Sequence, residues 1–298
     1  MRTSSYTPLH KITVFLVHIR WAQLLFHLIA TATGSVLAVF TSNTPFFWNT
    51  HAIITSAFLG TLITLAWIAS VMINDYHDRA IDRISNTHRP LPSGTITPET
   101  YRFLSLLLHL FIPIAALFIN PIVALFLTAY LVISLAYNTP PLRLKRFPFI
   151  GTFTMGLALQ MILFTGFALI APNHIMHTYP YSWSEIFIAL CIFALIAPIK
   201  DFKDVDGDRA HGILTIPVLL GPIGARLIVS SGVILLALRL VFVMHPQKNI
   251  TIALFFSTAC TIALIFASAY NTIITKRLLI AWLLLPITIF VLSVVTLS

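Results

Sequence analysis

Residues 74–83 read NDYHDRAIDR and residues 200–209 read KDFKDVDGDR, in a chain that is 58% hydrophobic and 9% charged. Of the nine Asp and Glu residues, all but Glu99 and Glu185 lie in these two windows. Asp75, Asp78 and Asp82 recur as Asp201, Asp204 and Asp208 at a constant displacement, and Arg83 recurs as Arg209. Asp206 has no counterpart in that register. On a helix the offsets i, i+3 and i+7 stay within roughly 60° of one another, so each trio is predicted to line one face. Carboxylates gathered this way repel unless a cation sits among them. Magnesium binds oxygen and is usually held by one or two carboxylates together with substrate phosphates.

Outward from the windows the chain is apolar. Mean hydropathy is +0.94 and 23 residues are Phe. Runs long enough to span a bilayer, or nearly so, lie at about 21–40, 51–73, 103–119, 121–136, 149–171, 183–199, 221–244, 250–269 and 278–297. The expectation is an all-α polytopic membrane protein of about nine transmembrane helices, one domain over 1–298. The third and fourth runs are broken at Asn120-Pro121. Ala30-Thr31-Ala32 has the pattern of a signal-peptidase site, but the run stays apolar to Phe40 and reads as a retained span. Pro113, Pro198 and Pro286 are read as kinking or ending spans.

The pI near 9.9 invites a nucleic-acid reading, yet the basic residues are scattered between apolar runs and form no stripe, which argues against one. With nine spans, all 18 Lys and Arg except Arg239 and Lys248 fall on one side. That side is expected to be cytoplasmic and to hold the N-terminus and both acidic windows. Four spans separate the windows, an even number, so two parallel pseudo-repeats of four helices, about 17–140 and 149–270, plus one further helix are expected. Cys191 and Cys260 lie in apolar runs and read as filler. His174 and His177 lie in the expected outer loop.

Arg89 in THRPLPSG, and Arg143, Lys145 and Arg146 in YNTPPLRLKR, suit a phosphorylated ligand. Guanidinium forks grip phosphate oxygens in pairs, and lysine adds a compact charge. Histidines near the windows, His77, His88 and His211, and His27 in the first span, read singly as hydrogen-bonding or interfacial residues.

NDYHDRAID resembles the first motif of the UbiA superfamily of intramembrane prenyltransferases, and KDFKDVDGDRAHGILTIPVLLG its second. RPLPSG and the segment from Tyr137 through Lys145 and Arg146 also look like family segments. The resemblance implies a helical bundle around a central cavity opening laterally to lipid. It implies a magnesium set of Asp75, Asp78, Asp82, Asp201, Asp204 and Asp208, assisted by Asn74, with two ions bridged by the substrate diphosphate. It implies Arg89, Lys145 and Arg146 as diphosphate ligands, with Tyr137 and Lys203 as further substrate-binding residues. Where many relatives have Arg-Pro-x-Asn, this chain has Arg20-Trp21-Ala22-Gln23, and Gln23 is expected in place of that Asn.

The implied activity is magnesium-dependent transfer of a prenyl group from a polyprenyl diphosphate to a hydrophobic or aromatic acceptor in the bilayer. The windows read closest to members using geranylgeranyl-type donors. A terpene cyclase, which would ionise the same diphosphate without an acceptor, and a non-enzymatic transporter stay open. The CDP-alcohol phosphotransferases keep their acids in one contiguous stretch, unlike this chain.

Overall fold

The structure is a computed structural model that describes residues 7–42, 49–175, 183–203, 205–210, 212–244 and 248–267. Ten α-helices and no strand occur among them: α1 Pro8–Val17, α2 Trp21–Ser42, α3 Thr50–Ser85, α4 Pro98–Ala116, α5 Pro121–Asn138, α6 Pro148–Ile170, α7 Trp183–Ile196, α8 Val205–Ala210, α9 Ile216–Met244 and α10 Lys248–Ala267. Six of them, α2 to α6 and α9, are long and apolar enough to cross a membrane. Shorter apolar helices lie at 186–199 and 251–267. Eight of the nine expected runs therefore coincide with helices, and the ninth, 278–297, lies outside the described residues. So do His177 and Asp204.

The chain divides into two compact units, one holding the described residues up to 145 together with 157–175, the other 146–156 together with those from 183 onward. In the first unit, helix starts follow local chemistry. Asn49, Thr97 and Asn120 each accept a hydrogen bond from a backbone N–H of the first turn. Pro98 and Pro121 follow directly, where a missing N–H costs nothing. Asn120 also donates to the Ala168 carbonyl at 3.0 Å, tying the α4–α5 break to the end of α6.

The core of this unit joins Leu59, Leu62, Ile63 and Ala66 of α3, Ile112 and Ala116 of α4, Val123, Leu127 and Leu131 of α5, and Ile162 of α6. Between lipid-solvated helices close packing, rather than water exclusion, supplies the attraction. A Cβ on Gly166 would lie 1.8 Å from the Thr31 carbonyl oxygen, and one on Gly34 1.9 Å from that of Leu163. These glycines let α2 and α6 touch backbone to backbone, and Ser35 donates to the Gly166 carbonyl at 2.9 Å.

α3 has 36 residues, about 54 Å at 1.5 Å per residue, against a hydrocarbon core of about 30 Å. Its last turns, which carry the first acidic window, are thus carried past what a bilayer requires. Short α1 sits before the first span and packs Phe15 edge-on against Tyr101 of α4, centroids 6.2 Å apart.

In the second unit α9 packs against α7, α8 and α10 around Ile192, Ile196, Val229, Val233 and Ile265. α9 begins five residues before the expected apolar run, because Pro217 suits a first turn; it is broken at Gly221, whose φ of 71° precedes Pro222. α7 gives way to a 3-10 stretch, Ala197–Lys203, at Pro198, as a proline without an N–H favours.

Candidate active site

The first window is helical throughout, and its acids turn inward as their spacing predicts. Asp75 is 2% and Asp82 3% exposed, and Asp78 is half-buried. Charges so placed require partners. Each acid has them. The Arg89 guanidinium donates to both oxygens of Asp82, at 2.8 and 2.7 Å, and lies 3.5 Å from Asp75. Asn86 also donates to Asp82, at 3.0 Å. Arg143 and Lys145 share Asp78 at 2.9 and 2.7 Å, one on each oxygen. Lys145 reaches Asn74 Oδ1 at 3.0 Å and Asn138 Oδ1 at 3.3 Å. Arg20 donates to Asp75 Oδ1, which Asn74 also approaches at 3.2 Å.

The loop that delivers Arg89 is built by its own sequence. Arg89 N bonds the Asn86 carbonyl, Gly94 takes φ of 72°, and Thr95 N and Ile96 N both return to the Pro90 carbonyl. Arg20 and Arg143 adopt left-handed backbone, φ 62° and 38°, which a side chain other than Gly rarely does. Both residues turn a guanidinium onto an aspartate from such a position. Burial pushes the Lys145 ammonium below the ordinary lysine range, with the Asp78 carboxylate opposing that shift.

Thus Asn74, Asp75, Asp78, Asp82, Arg89 and Lys145 stand together in one unit. Arg143, which its loop already suited to a phosphorylated ligand, belongs to the same cluster, and so does Arg20, which the sequence marked only by its topology and its place in Arg20-Trp21-Ala22-Gln23. Tyr137 is half-buried next to Asn138. The Gln23 side chain is exposed, and its backbone carbonyl accepts from His27 Nδ1 at 2.7 Å. Arg146 lies in the other unit, exposed, with its guanidinium over the Phe147 ring.

The second window has a different local form. Asp201 lies in the 3-10 stretch and Asp208 in α8, so they do not share one continuous α-helical face. Asp208 accepts from the Thr215 hydroxyl at 3.3 Å, which ties α8 to the start of α9. The side chains of Lys203 and Asp206, like Asp204, lie outside the described residues.

Asp75 Oδ2 is buried without a hydrogen-bond partner. An orphaned carboxylate oxygen is costly unless a ligand meets it, and beside Asn74 and Asp78 it offers the hard oxygen donors magnesium prefers. Among the described residues no three His, Cys, Asp or Glu side chains are grouped as an all-protein metal cage.

A family model described as the UbiA prenyltransferase family matches residues 27–284. Bacteriochlorophyll synthase 34 kDa chain of Chloroflexus aurantiacus is 35% identical over 167 residues, 54% of this chain and 51% of that protein. Digeranylgeranylglyceryl phosphate synthase of Methanobrevibacter smithii is 30% identical over 176 residues, 58% of this chain and 61% of that protein. The chain spans about half the length of the curated relatives it matches. Among solved structures, a UbiA homolog from Aeropyrum pernix superposes with TM-score 0.65 at 22% identity, covering 91% of this chain and 97% of that one. A UbiA homolog from Archaeoglobus fulgidus bound to GPP and Mg2+ gives 0.62 at 20% identity, covering 95% and 98%. With its fold shared over 91% and 95% of the chain with these structures and the family model matched along most of its length, this integral, multi-pass membrane protein belongs to the UbiA prenyltransferase family.

Proposed function

We propose that this protein transfers a prenyl group, in the membrane and with magnesium, from an allylic diphosphate to a hydrophobic or aromatic acceptor, releasing diphosphate. The observation that carries the reading is the end of α3, where three inward-facing aspartates meet Arg20, Arg89, Arg143 and Lys145 while one buried carboxylate oxygen goes unmatched. Such a place suits a ligand that brings anion and cation together. Family membership and the GPP and Mg2+ in a related structure support the same choice.

In this reading Asp75, Asp78, Asp82 and Asn74 would hold magnesium. Asp201, Asp204 and Asp208 are assigned to the same set on their shared register with the first window. Magnesium, when bound, offsets the charge that gathers on the departing diphosphate. Arg20, Arg89, Arg143 and Lys145 turn from the aspartates to the phosphate oxygens and stabilise that charge as the allylic carbon–oxygen bond breaks. Arg146, Tyr137, Lys203 and Gln23 are assigned to the substrate on family pattern alone. The helices exclude water from the electron-poor carbon. Two parallel repeats, with the N-terminus and the site's mouth on the cytoplasmic side, form part of the proposal, and the sorting of Lys and Arg supports them.

Membranes carrying the chain, given geranyl and geranylgeranyl diphosphates and magnesium with para-hydroxybenzoate, chlorophyllide or geranylgeranylglyceryl phosphate, test the reading. Diphosphate release that needs magnesium, one acceptor and Asp75 is expected, with Asp75→Asn inactive. Release without any acceptor would instead identify a cyclase or hydrolase, and no release with any pair would refute transfer.

A further inference from the structure

Behind the diphosphate site the helices carry a second polar group that the family motifs do not include. Trp67, Ser70, Asn74 and Asp78 share one face of α3, and Tyr130, Ser134 and Asn138 share one face of α5. The near ends of these rows meet at the acidic window, through Lys145, Asn74 and Asn138. The rows continue inward. Asn138 donates to the Ser134 carbonyl at 3.0 Å, and the Ser134 and Ser70 hydroxyls lie 2.6 Å apart. Ser70 stands near the Tyr130 phenol. The phenol oxygen is 3.3 Å from His27 Nε2 on α2.

The chemistry of His27 is fixed by its neighbours. Its Nδ1 is 2.7 Å from the Gln23 carbonyl, which only accepts, so Nδ1 bears the hydrogen. In the neutral ring Nε2 then holds a lone pair, directed at Tyr130. Trp67 lies against the imidazole, its ring tilted by 42° with centroids 4.6 Å apart, and its own N–H is held by the Ile19 carbonyl at 2.8 Å. Tyr130 is 2% exposed, and His27 is half-buried. Among the described residues, Tyr130 from α5 is the titratable group against His27. α3 presents Trp67 there with Ser70 close by, and the charges of α3 begin only at Asp75, eight residues beyond Trp67.

Depth decides what this pair is for. Ser70 precedes Asn74 by one turn, which sets the phenol about 6 Å further into the apolar part of the bundle than the diphosphate site. A prenyl diphosphate held at that site directs its apolar tail inward, and its reacting carbon lies only a few bonds from the phosphate. A buried, ionisable side chain at that level of a transmembrane helix is a functional feature by default.

We propose that His27 is a catalytic base of the transfer and that Tyr130 positions it; this rests on the function proposed above. The carbon–oxygen bond to diphosphate breaks, with its electron pair leaving on the diphosphate. A bond forms between the acceptor atom and the allylic carbon, and the hydrogen of that acceptor atom departs as a proton to His27 Nε2. The contact is long, 3.3 Å, so Tyr130 can turn its hydrogen away and leave Nε2 open. The imidazolium then keeps its Nδ1–H on the Gln23 carbonyl until the proton passes to water.

The full-length protein in liposomes tests this with the donors and acceptors named above, and with geranylgeranyl thiolodiphosphate as an unreactive probe of donor binding. His27→Gln is expected to bind the probe as the parent does and to keep KM for the donor. Its kcat should fall about 100-fold or more, the scale of general-base catalysis. The fall of kcat toward acid pH in the parent should vanish in His27→Gln, and added imidazole should restore turnover to His27→Ala. Tyr130→Phe, nearly the same shape, should lower kcat less and keep the acid fall. Unchanged kcat in His27→Gln, or kcat and probe binding lost together with no imidazole rescue, would overturn the proposal, as would a parent kcat flat to acid pH. A parent that releases diphosphate from no donor would overturn the proposed function and this role with it.

Discussion

Replacing Arg20 by Ala and by Gly separates a charge from a backbone strain. Arg20 ends the turn before α2 with φ of 62°, its carbonyl accepting from Gln23 N at 3.0 Å, while its guanidinium holds Asp75. Either variant removes the ion pair. Breaking a buried pair outright costs about 3–5 kcal/mol. Here Asp75 Oδ1 keeps Asn74 at 3.2 Å and Arg89 at 3.5 Å. The loss is therefore closer to that of one hydrogen bond to a charged group, about 2 kcal/mol. Ala retains the left-handed penalty of about 1 kcal/mol that Gly sheds. Arg20→Ala is thus expected to destabilise by about 2 kcal/mol and Arg20→Gly by about 1 kcal/mol, the reverse of the usual order of these two residues. Unfolding in mixed micelles with increasing dodecyl sulfate measures both, and since both lack the same guanidinium their difference reads the backbone alone. An Arg20→Ala protein as stable as Arg20→Gly, or more so, would refute the left-handed turn and the strain argument with it.

Lys145 gives a pH signature. Its folded-state pKa is lowered by burial, so the unfolded chain binds the extra proton between the folded value and the ordinary one, and stability rises with pH across that window. Donor affinity runs the other way, because the ammonium is lost there. KM for a prenyl diphosphate should climb at a pH below the ordinary lysine range, and Lys145→Arg should remove the climb; an identical climb in that variant would assign it elsewhere. Gly166→Ala sets a methyl against the Thr31 carbonyl and should cost several kcal/mol by forcing α2 from α6, seen as a lowered melting temperature in detergent. A melting temperature within a degree of the parent would show that the two helices separate freely.

Much of this was legible because long apolar runs and the i, i+3, i+7 spacing of Asp75, Asp78 and Asp82 carry their own geometry. A helix through 74–82 sets these acids on one face whichever neighbours it finds, and the cations Arg20, Arg89, Arg143 and Lys145 cover that face. Arg20 and Arg143 were not assigned with equal weight, since their aim depends on positive φ at residues whose type does not announce it. The second window copies the register of the first but not its local form. Pro198 lies ahead of its first aspartate, where the first window has an unbroken apolar helix, and a 3-10 stretch follows. His27 reads singly as a hydrogen-bonding residue, and its partner Tyr130 stands 103 residues away, a separation at which spacing says nothing.

The pairing at the end of α3 also constrains how the ligand enters. With aspartates and cations neutralising one another, magnesium alone would have to displace Arg143, Lys145 and Arg20 and leave them facing each other. A free diphosphate would draw the same cations away and leave Asp75 and Asp78 with fewer partners, at a cost of about 1–3 kcal/mol in all. Arriving together, the two let every charge exchange one partner for another, so the desolvation already spent in folding is kept. Magnesium and diphosphate should therefore bind with positive coupling, and linkage requires each to raise the other's affinity by the same factor, expected at about 10-fold to 100-fold. Titrating inorganic diphosphate calorimetrically with and without magnesium, then magnesium with and without diphosphate, closes that cycle, once the affinity of the two for each other in solution is subtracted. Independent binding would mean that the ion pairs seen here do not compete with the ligand, and the four cations would then have to be read as scaffolding for α3.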